Sequence, residues 1–215
     1  MPRHRTKAEG LLRHTVAWVY CTLWVPLIIL VCAPLPRRIK ERVWPKMARS
    51  WGRTMLRIGG VGLRIDTASV RQLADRKPRV LLFNHSSTLD TFVGAAVLPE
   101  GGVLVLKREF LFLPLLGQAT WAVGSIFVDR SNGDKARESL ARAVTKVRER
   151  RLQVLIAPEG TRVKGPEMGR FKLGGFRLAQ KAGAGIVPVV MHRCQELWPP
   201  GAFAPTAGTL HVTTL

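Results

Sequence analysis

Short apolar runs and longer stretches of apolar residues spaced three or four apart alternate along most of the chain. The short runs predict strands and the spaced stretches predict helices. Their alternation from residue 61 onward favours an α/β domain, with helices on the faces of a mixed, largely parallel sheet. Asp134 is the expected N-cap of a helix that runs to Arg150. The predicted strands are 61–67, 79–83, 102–106, 125–128, 152–157, 186–191 and 209–213, and the other predicted helices are 88–98, 109–123 and 171–182.

The first sixty residues follow a different pattern. No charged residue occurs from Thr15 to Pro36, and this stretch is long enough to cross a bilayer core, which takes about 20 residues. It exceeds the apolar part of a secretion signal, about 7–15 residues, and no A-x-A site follows it. A cleaved signal peptide and a buried core helix are therefore the less favoured alternatives. Pro26 lies within the stretch and predicts a kink.

The charges that flank this apolar stretch do not set its orientation. Four Lys or Arg residues precede it and four more follow closely, so the usual cytoplasmic bias of basic residues is nearly balanced. Two arrangements fit this balance. One is a transmembrane helix, and the other is a bent segment that enters one leaflet and returns, with both basic ends on the anionic cytoplasmic face.

A further helix is predicted over residues 43–58, ended by Gly59-Gly60. One side is apolar and the opposite side is basic, as in a helix that lies in a membrane interface. The alternative is a helix that packs on the core and exposes its basic side to solvent. We divide the chain into membrane-associated helices, 1–58, and a globular domain, 59–215. The apolar side carries Trp44, Met47, Trp51, Met55 and Ile58, and the basic side carries Lys46, Arg49, Arg53 and Arg57.

Composition points to an anionic partner. The chain has 34 Lys and Arg against 14 Asp and Glu in 215 residues, a net charge of +20. Nucleic acid, an anionic membrane and a phosphate-bearing substrate would each satisfy that charge. The basic residues of the first sixty positions accompany a bilayer-length apolar run, and no nucleic-acid motif is present. A membrane is therefore favoured, while a noncatalytic membrane-binding or nucleic-acid-binding protein remains the alternative.

The number and spacing of the cysteines argue against a disulfide-stabilised protein and against a zinc-binding protein. Cys21, Cys32 and Cys194 are three in number and show no CxxC or CxxxH spacing. We therefore expect neither a disulfide framework nor a zinc site, and we expect a reducing compartment.

A titratable pair follows the predicted strand 79–83. His85 stands just before a predicted helix and Asp90 at its start, where a carboxylate can orient a histidine that acts as a general base. No G-x-S-x-G nucleophile elbow is present, which suggests that the activated hydroxyl belongs to a substrate. The alternative is structural, because Ser87-Thr88-Leu89-Asp90 is also a capping-box pattern that would merely begin the helix.

Basic residues follow three other predicted strands. Lys107 follows strand 102–106, Arg130 follows strand 125–128, and Pro158-Glu159-Gly160-Thr161-Arg162 follows strand 152–157. Parallel strands bring their carboxyl ends to one edge, so these groups would form an electropositive cleft suited to phosphate. The alternatives are a surface arginine in an Arg-rich chain and a plain Pro-Gly turn.

Four ordered sequence blocks resemble those of the glycerolipid acyltransferases, and in particular the PlsC-like 1-acylglycerol-3-phosphate acyltransferases. An H-x4-D pair alone is a weak signal, but four blocks in this order and spacing are a strong one, and the resemblance covers residues 60–192. One departure is Ala157, where the family usually has Phe, and we expect it to alter packing or the acyl groove but not the chemistry. The blocks are Asn84-His85-x4-Asp90, Gly124–Arg130, Pro158–Arg162 and Ile186-Val187-Pro188-Val189.

The resemblance implies an activity and a set of roles. A fatty acyl group would pass from acyl-CoA or acyl-carrier protein to the hydroxyl of lysophosphatidic acid, giving phosphatidic acid for phospholipid biosynthesis. His85 would be the base and Asp90 would orient it, with no metal, no cofactor and no nucleic acid. The expected location is the cytoplasmic face of a bacterial inner membrane, against anionic phospholipid. Another lysolipid, such as a lyso-ornithine lipid, is the alternative acceptor. The residues implied in substrate binding are Lys107, Arg130, Glu159, Gly160, Thr161 and Arg162.

Overall fold

A computed structural model describes residues 7–129, 131–163 and 167–215. The strands are β1 Val61–Ile65, β2 Arg79–Phe83, β3 Gly102–Lys107, β4 Ile126–Val128, β5 Gln153–Ile156, β6 Gly185–His192 and β7 Gly208–Thr214. The helices are α1 Lys7–Cys32, α2 Arg37–Gly59, α3 Thr67–Ala74, α4 Leu89–Ala96, α5 Leu116–Ala122, α6 Gly133–Arg150, α7 Gly174–Ala182 and α8 Cys194–Leu197, with a 3₁₀ helix at Arg108–Phe112.

The strands of the described chain form one seven-stranded sheet in the order β1-β7-β6-β2-β5-β3-β4. Every neighbouring pair is parallel except β6 and β7, so the predicted mixed, largely parallel sheet with flanking helices is confirmed. Apolar side chains pack on both faces. One face carries the core shared with α2 and α4, and the other carries the core shared with α6 and α7.

The sheet divides between β3 and β5 near its carboxyl edge. β3 pairs with β5 as far as Leu104 opposite Leu155, and it pairs with β4 from Val105 onward. The two strands therefore separate just before their carboxyl ends, which leaves space between the layers close to the predicted site.

Local capping explains most differences from the predicted elements. β1 ends at Ile65 because the Asp66 carboxylate accepts the Ser69 N–H at 2.8 Å and begins α3, a helix that was not predicted. The expectation that Asp134 caps α6 is wrong. The Asn132 side chain accepts the Lys135 N–H at 2.8 Å, so α6 begins at Gly133.

Helix α1 contains the uncharged stretch and continues through Pro26. Residues 8–32 are long and apolar enough to cross a membrane by length and composition, and only 11% of the most apolar window is buried. Most of the apolar surface of α1 therefore has no partner within the described part of the chain. Its exposed large apolar residues are Leu11, Leu12, Val16, Trp18, Val19, Leu23, Leu27 and Leu30.

Helix α2 uses its apolar side mainly as a core helix. Trp44, Ala48 and Leu56 are buried in the cluster that also contains residues of α4 and the sheet. The two helices cross closely at Gly52, where an added Cβ would lie 2.4 Å from the Phe92 carbonyl oxygen. The core-packing alternative therefore describes this side of α2. The buried cluster includes residues on both sides of position 58, and the division of the chain there stays a prediction.

Candidate active site

His85 lies two residues beyond the end of β2, and Asp90 lies in the first turn of α4. The ring Nδ1 of His85 lies 3.1 Å from Asp90 Oδ2. The histidine side chain is 24% exposed, whereas the carboxylate is fully buried. Asp90 thus holds Nδ1 from the buried side and leaves Nε2 as the nitrogen that can exchange a proton with a ligand.

Asp90 also begins α4. Its Oδ2 accepts the backbone N–H groups of Ser86 at 2.6 Å and Ser87 at 2.8 Å. The interaction with the Ser87 N–H is the one that a capping box would supply. The structural and catalytic interpretations of Asp90 are therefore compatible, because one carboxylate oxygen does both.

Cys194 of α8 is a buried neighbour of Asp90 that the sequence did not mark. Burial raises the pKa of the Cys194 thiol well above its usual range, and the charge and hydrogen bonding of Asp90 raise that pKa further. The thiol therefore stays protonated beside the carboxylate, where it adds no second negative charge.

The loop after β5 holds the backbone of His85. Glu159 is 5% exposed, and its Oε2 accepts the His85 N–H at 3.0 Å. The Val163 N–H donates to the His85 carbonyl oxygen at 2.8 Å. Burial raises the pKa of Glu159 and the nearby Asp90 charge adds to that effect, while the His85 N–H and the His85 charge oppose it. Glu159 therefore supports the site through the main chain of His85.

Asn84 joins β2 to β6 directly before the histidine. Its side-chain amide donates to the Met191 carbonyl oxygen at 3.1 Å and accepts the Met191 N–H at 2.8 Å. These two bonds continue the sheet beyond Phe83, so the main chain enters His85 from a fixed direction. The sequence marked Asn84 only as part of the block Asn84-His85-x4-Asp90, and nothing in its local pattern indicated this bridge.

The His85 side chain lines a cavity of about 450 Å³, within the usual range for a small-molecule site. Lys107, Thr161 and Arg162 are exposed around it, and neither cation forms an ion pair with another described residue. The lining is otherwise mainly apolar. It includes Trp44, Trp51, Phe83, Gly94, Ala95, Leu98, Leu104, Leu106, Phe110 and Leu155.

A second apolar cavity of about 440 Å³ lies between the sheet and helices α6 and α7. Val105, Ile156, Ala157 and Gly160 line both cavities. These residues stand where β3 and β5 separate, so the two cavities approach each other beside Ala157.

Gly160 shapes the turn between these cavities. Its φ is +76°, a left-handed value that favours glycine, and its N–H donates to the Ala157 carbonyl oxygen at 3.1 Å. That N–H is therefore engaged within the turn and is not free for a ligand.

Most of the predicted site residues meet at this edge of the sheet. His85, Asp90, Lys107, Gly160, Thr161 and Arg162 line the first cavity, and Glu159 contacts it through the His85 backbone. Arg130 lies outside the described residues. No group of three His, Cys, Asp or Glu side chains within the described ranges is placed to hold a metal ion.

Comparisons with known proteins show the family to which the chain belongs. A family model described as Acyltransferase matches residues 64–192. The 1-acyl-sn-glycerol-3-phosphate acyltransferase of Pseudomonas aeruginosa is 32% identical over 192 residues, which cover 88% of this chain and 72% of the relative. The Escherichia coli enzyme of the same name is 30% identical over 146 residues, 67% of this chain. The match spans 60% of that relative's length.

The fold has a close counterpart among solved structures. The 1-acyl-sn-glycerophosphate (LPA) acyltransferase PlsC of Thermotoga maritima matches with a TM-score of 0.79 at 17% identity, over 97% of this chain and 85% of that one. This likeness shows a shared fold. Together with the family match across the His85–Asp90 and Gly160 segments, it leads to one conclusion: the chain belongs to the acyltransferase family.

Proposed function

We propose that this chain transfers a fatty acyl group to the free hydroxyl of 1-acyl-sn-glycerol 3-phosphate, giving phosphatidic acid. The observation that carries the proposal is the first cavity, whose lining combines the His85–Asp90 pair, many apolar side chains and the cations Lys107 and Arg162. An acyl chain suits the interior, and a phosphate suits Lys107 and Arg162. The names of the relatives support the same acceptor.

The proposed chemistry needs no residue of the chain as nucleophile. His85 Nε2 removes the proton of the acceptor hydroxyl while Asp90 holds Nδ1–H and stabilises the imidazolium. The hydroxyl oxygen attacks the thioester carbonyl of acyl-CoA or acyl-carrier protein. Collapse of the tetrahedral intermediate forms the ester and breaks the C–S bond, and the departing thiolate takes the proton from the imidazolium.

The oxyanion of the tetrahedral intermediate requires hydrogen-bond donors. The N–H groups of Ser86 and Ser87 are engaged by Asp90, and that of Gly160 is engaged within its turn. Thr161 is the next residue along and lines the first cavity. We assign this stabilisation to Thr161, with the rim cations contributing by charge.

The reaction is proposed to take place at a membrane, since its acceptor and product are lipids. Helix α1 supplies the anchor, because it is of bilayer length and mostly exposed. The net charge of +20 favours an anionic surface, which fits the cytoplasmic face of a bacterial inner membrane.

Acylation of a panel of lysolipids tests this proposal directly. The purified 215-residue chain in detergent micelles is incubated with labelled acyl-CoA or acyl-carrier protein. Lysophosphatidate, neutral or zwitterionic lysolipids, and lyso-ornithine lipid are offered in turn as acceptors. We expect label to enter lysophosphatidate at the highest kcat/KM. Preferential labelling of lyso-ornithine lipid would replace the acceptor, and no transfer to any lysolipid would refute the activity.

Replacing Arg162 with alanine is expected to weaken the use of the phosphate-bearing acceptor. A charge-assisted hydrogen bond contributes about 1.5–3 kcal/mol, which corresponds to a roughly ten- to hundredfold fall in kcat/KM for lysophosphatidate. The acceptor KM should rise while the KM for the acyl donor stays within about twofold. Steady-state kinetics with each substrate varied in turn measure both values.

The matched control is Arg148→Ala, which removes the same charge from the exposed side of α6. It should leave both KM values unchanged. Equal acceptor kinetics in the Arg162 variant and this control would remove Arg162 from the phosphate site.

Replacing Ala157 with phenylalanine is expected to shift the preference toward shorter acyl donors. The larger ring would fill the space where the two cavities approach, so the end of a long chain would lose room. Loss of about two buried methylenes, at about 0.8 kcal/mol each, predicts a roughly tenfold fall in kcat/KM for long chains relative to short ones. An acyl-CoA length series measures this ratio.

Ala141→Phe, an exposed alanine on α6, is the control for adding a ring elsewhere. It should leave the chain-length profile unchanged. An unaltered profile in the Ala157 variant as well would show that Ala157 does not border the acyl groove.

A further inference from the structure

A ridge of exposed apolar side chains runs from the 3₁₀ helix into α5. Phe112 is 77% exposed, Trp121 is 66% exposed and Leu115 is 50% exposed. Within the 3₁₀ helix Arg108–Phe112 no residue is buried. Grouped apolar exposure of this kind marks an interaction surface more often than scattered single residues do. We call Phe112, Leu113, Leu115, Leu116 and Trp121 the aromatic ridge.

The backbone holds one ridge residue in a strained conformation. Leu115 has φ +62° and ψ −48°, and the Leu116 N–H donates to the Pro114 carbonyl oxygen at 2.7 Å. This is a γ-turn of the rare, strained kind, centred on a leucine that faces solvent. Glycine would relieve this backbone strain, and the Leu115 side chain gains little burial within the domain. The leucine side chain is therefore better explained by a contact with something other than the described chain.

The position of the ridge suggests what covers it. α5 packs against α1, the helix of bilayer length, so the ridge continues the exposed apolar surface of α1. Its other end reaches the active site, because Lys107 and Phe110 line the first cavity just before the ridge begins.

We propose that the aromatic ridge inserts into the phospholipid bilayer that α1 enters, at the mouth of the active-site cavity. The bilayer is favoured over a protein partner by this continuity with α1 and by the net charge of +20 of the chain. Lys107 stands exposed beside the start of the ridge, while Arg108 pairs with Asp129, and a basic residue beside aromatic and leucine side chains is typical of a segment that lies in a membrane interface. Inserted there, the ridge brings lipid chains next to the cavity, and this consequence rests on the proposed function.

Quenching by brominated lipids tests the insertion itself. The full chain is reconstituted in vesicles of phosphatidylcholine and phosphatidylglycerol whose acyl chains carry bromine near the headgroup. The Trp121 contribution is the difference in emission between the protein and Trp121→Phe. We expect that contribution to fall by at least half relative to vesicles without bromine. Unchanged Trp121 emission would refute insertion, whether or not the protein has any activity.

Two substitutions test what the ridge does for the reaction. Phe112→Ser and Leu115→Gly should each lower the transfer rate on substrate held in vesicles by about fivefold or more. Both should keep the rate of the parent protein on substrate in detergent micelles. Leu115→Gly should also keep or raise the melting temperature, because it relieves the strained φ. A purely structural role for Leu115 predicts the opposite change in stability.

Val70→Ser is the control, since Val70 is 49% exposed on α3, away from the ridge. It should leave both rates unchanged. Equal rates on vesicles for the parent and both ridge variants would overturn the proposal. A detergent-solubilised dimer that Phe112→Ser converts to monomer, with Trp121 unquenched, would assign the ridge to a second copy of the chain instead. Absence of transfer in micelles would count against the proposed function. The quenching result alone would then decide whether the aromatic ridge inserts into the bilayer.

Discussion

The His85→Ala variant is expected to fold normally and to lose nearly all acyl transfer. Among the described residues of the site, His85 is the histidine that Asp90 orients. General-base assistance contributes about 10²–10⁴-fold to the rate of such a transfer. The loss should appear in kcat more than in either KM, because the imidazole acts as the hydroxyl is deprotonated. Single-turnover transfer and the melting temperature, measured on the same preparation, check both parts.

His211→Ala provides the matched control. His211 is exposed on β7, and its removal should change neither rate nor stability. A folded His85→Ala protein with the parent rate would refute the general-base mechanism. If His85→Ala does not fold, the rate of folded His85→Gln decides instead, and the parent rate in that variant would refute the mechanism.

The Asp90→Asn variant is expected to lose about 10²–10⁴-fold in kcat with only a small change in stability. The amide oxygen can still accept the N–H groups of Ser86 and Ser87, so α4 begins as before. The lost charge, however, no longer stabilises the His85 imidazolium or fixes its tautomer. Asp90→Ala should differ by also unfolding more easily, because each buried N–H left unpaired costs about 1–3 kcal/mol.

Asp66→Asn makes the same chemical change at the start of α3, where the Asp66 side chain accepts the Ser69 N–H. Asn caps a helix about as well as Asp, so neither activity nor stability should change much. If Asp90→Asn were as active as this control, Asp90 would be a helix cap only.

The meeting of the site residues could be predicted because it follows from the parallel direction of the strands. His85, Lys107 and Arg162 each follow an apolar run that becomes a strand, and parallel strands deliver their carboxyl ends to one edge. The prediction did not need to know which strands are neighbours.

Contacts that depend on which strands lie side by side could not be predicted from strand direction alone. Asn84 and Met191 are 107 positions apart and meet only because β2 lies beside β6. The role of α2 was ambiguous for a related reason. A stripe of Trp and Met looks the same whether its partner is a bilayer or another helix, and only the Gly52 crossing with α4 distinguishes the two. α3 was missed because it is eight residues long and depends on its Asp66 cap.

The place of β7 has a consequence for how the protein is made. β1 joins the sheet only through β7, and the paired residues Val61 and Gly208 lie far apart along the chain. During synthesis we therefore expect β1 to stay unpaired until residues 208–214 have left the ribosome. Helix α1 needs no such partner and emerges long before. If α1 anchors the chain as proposed, we expect membrane targeting to precede closure of the sheet, so that the unfinished domain would complete its folding beside the lipid surface.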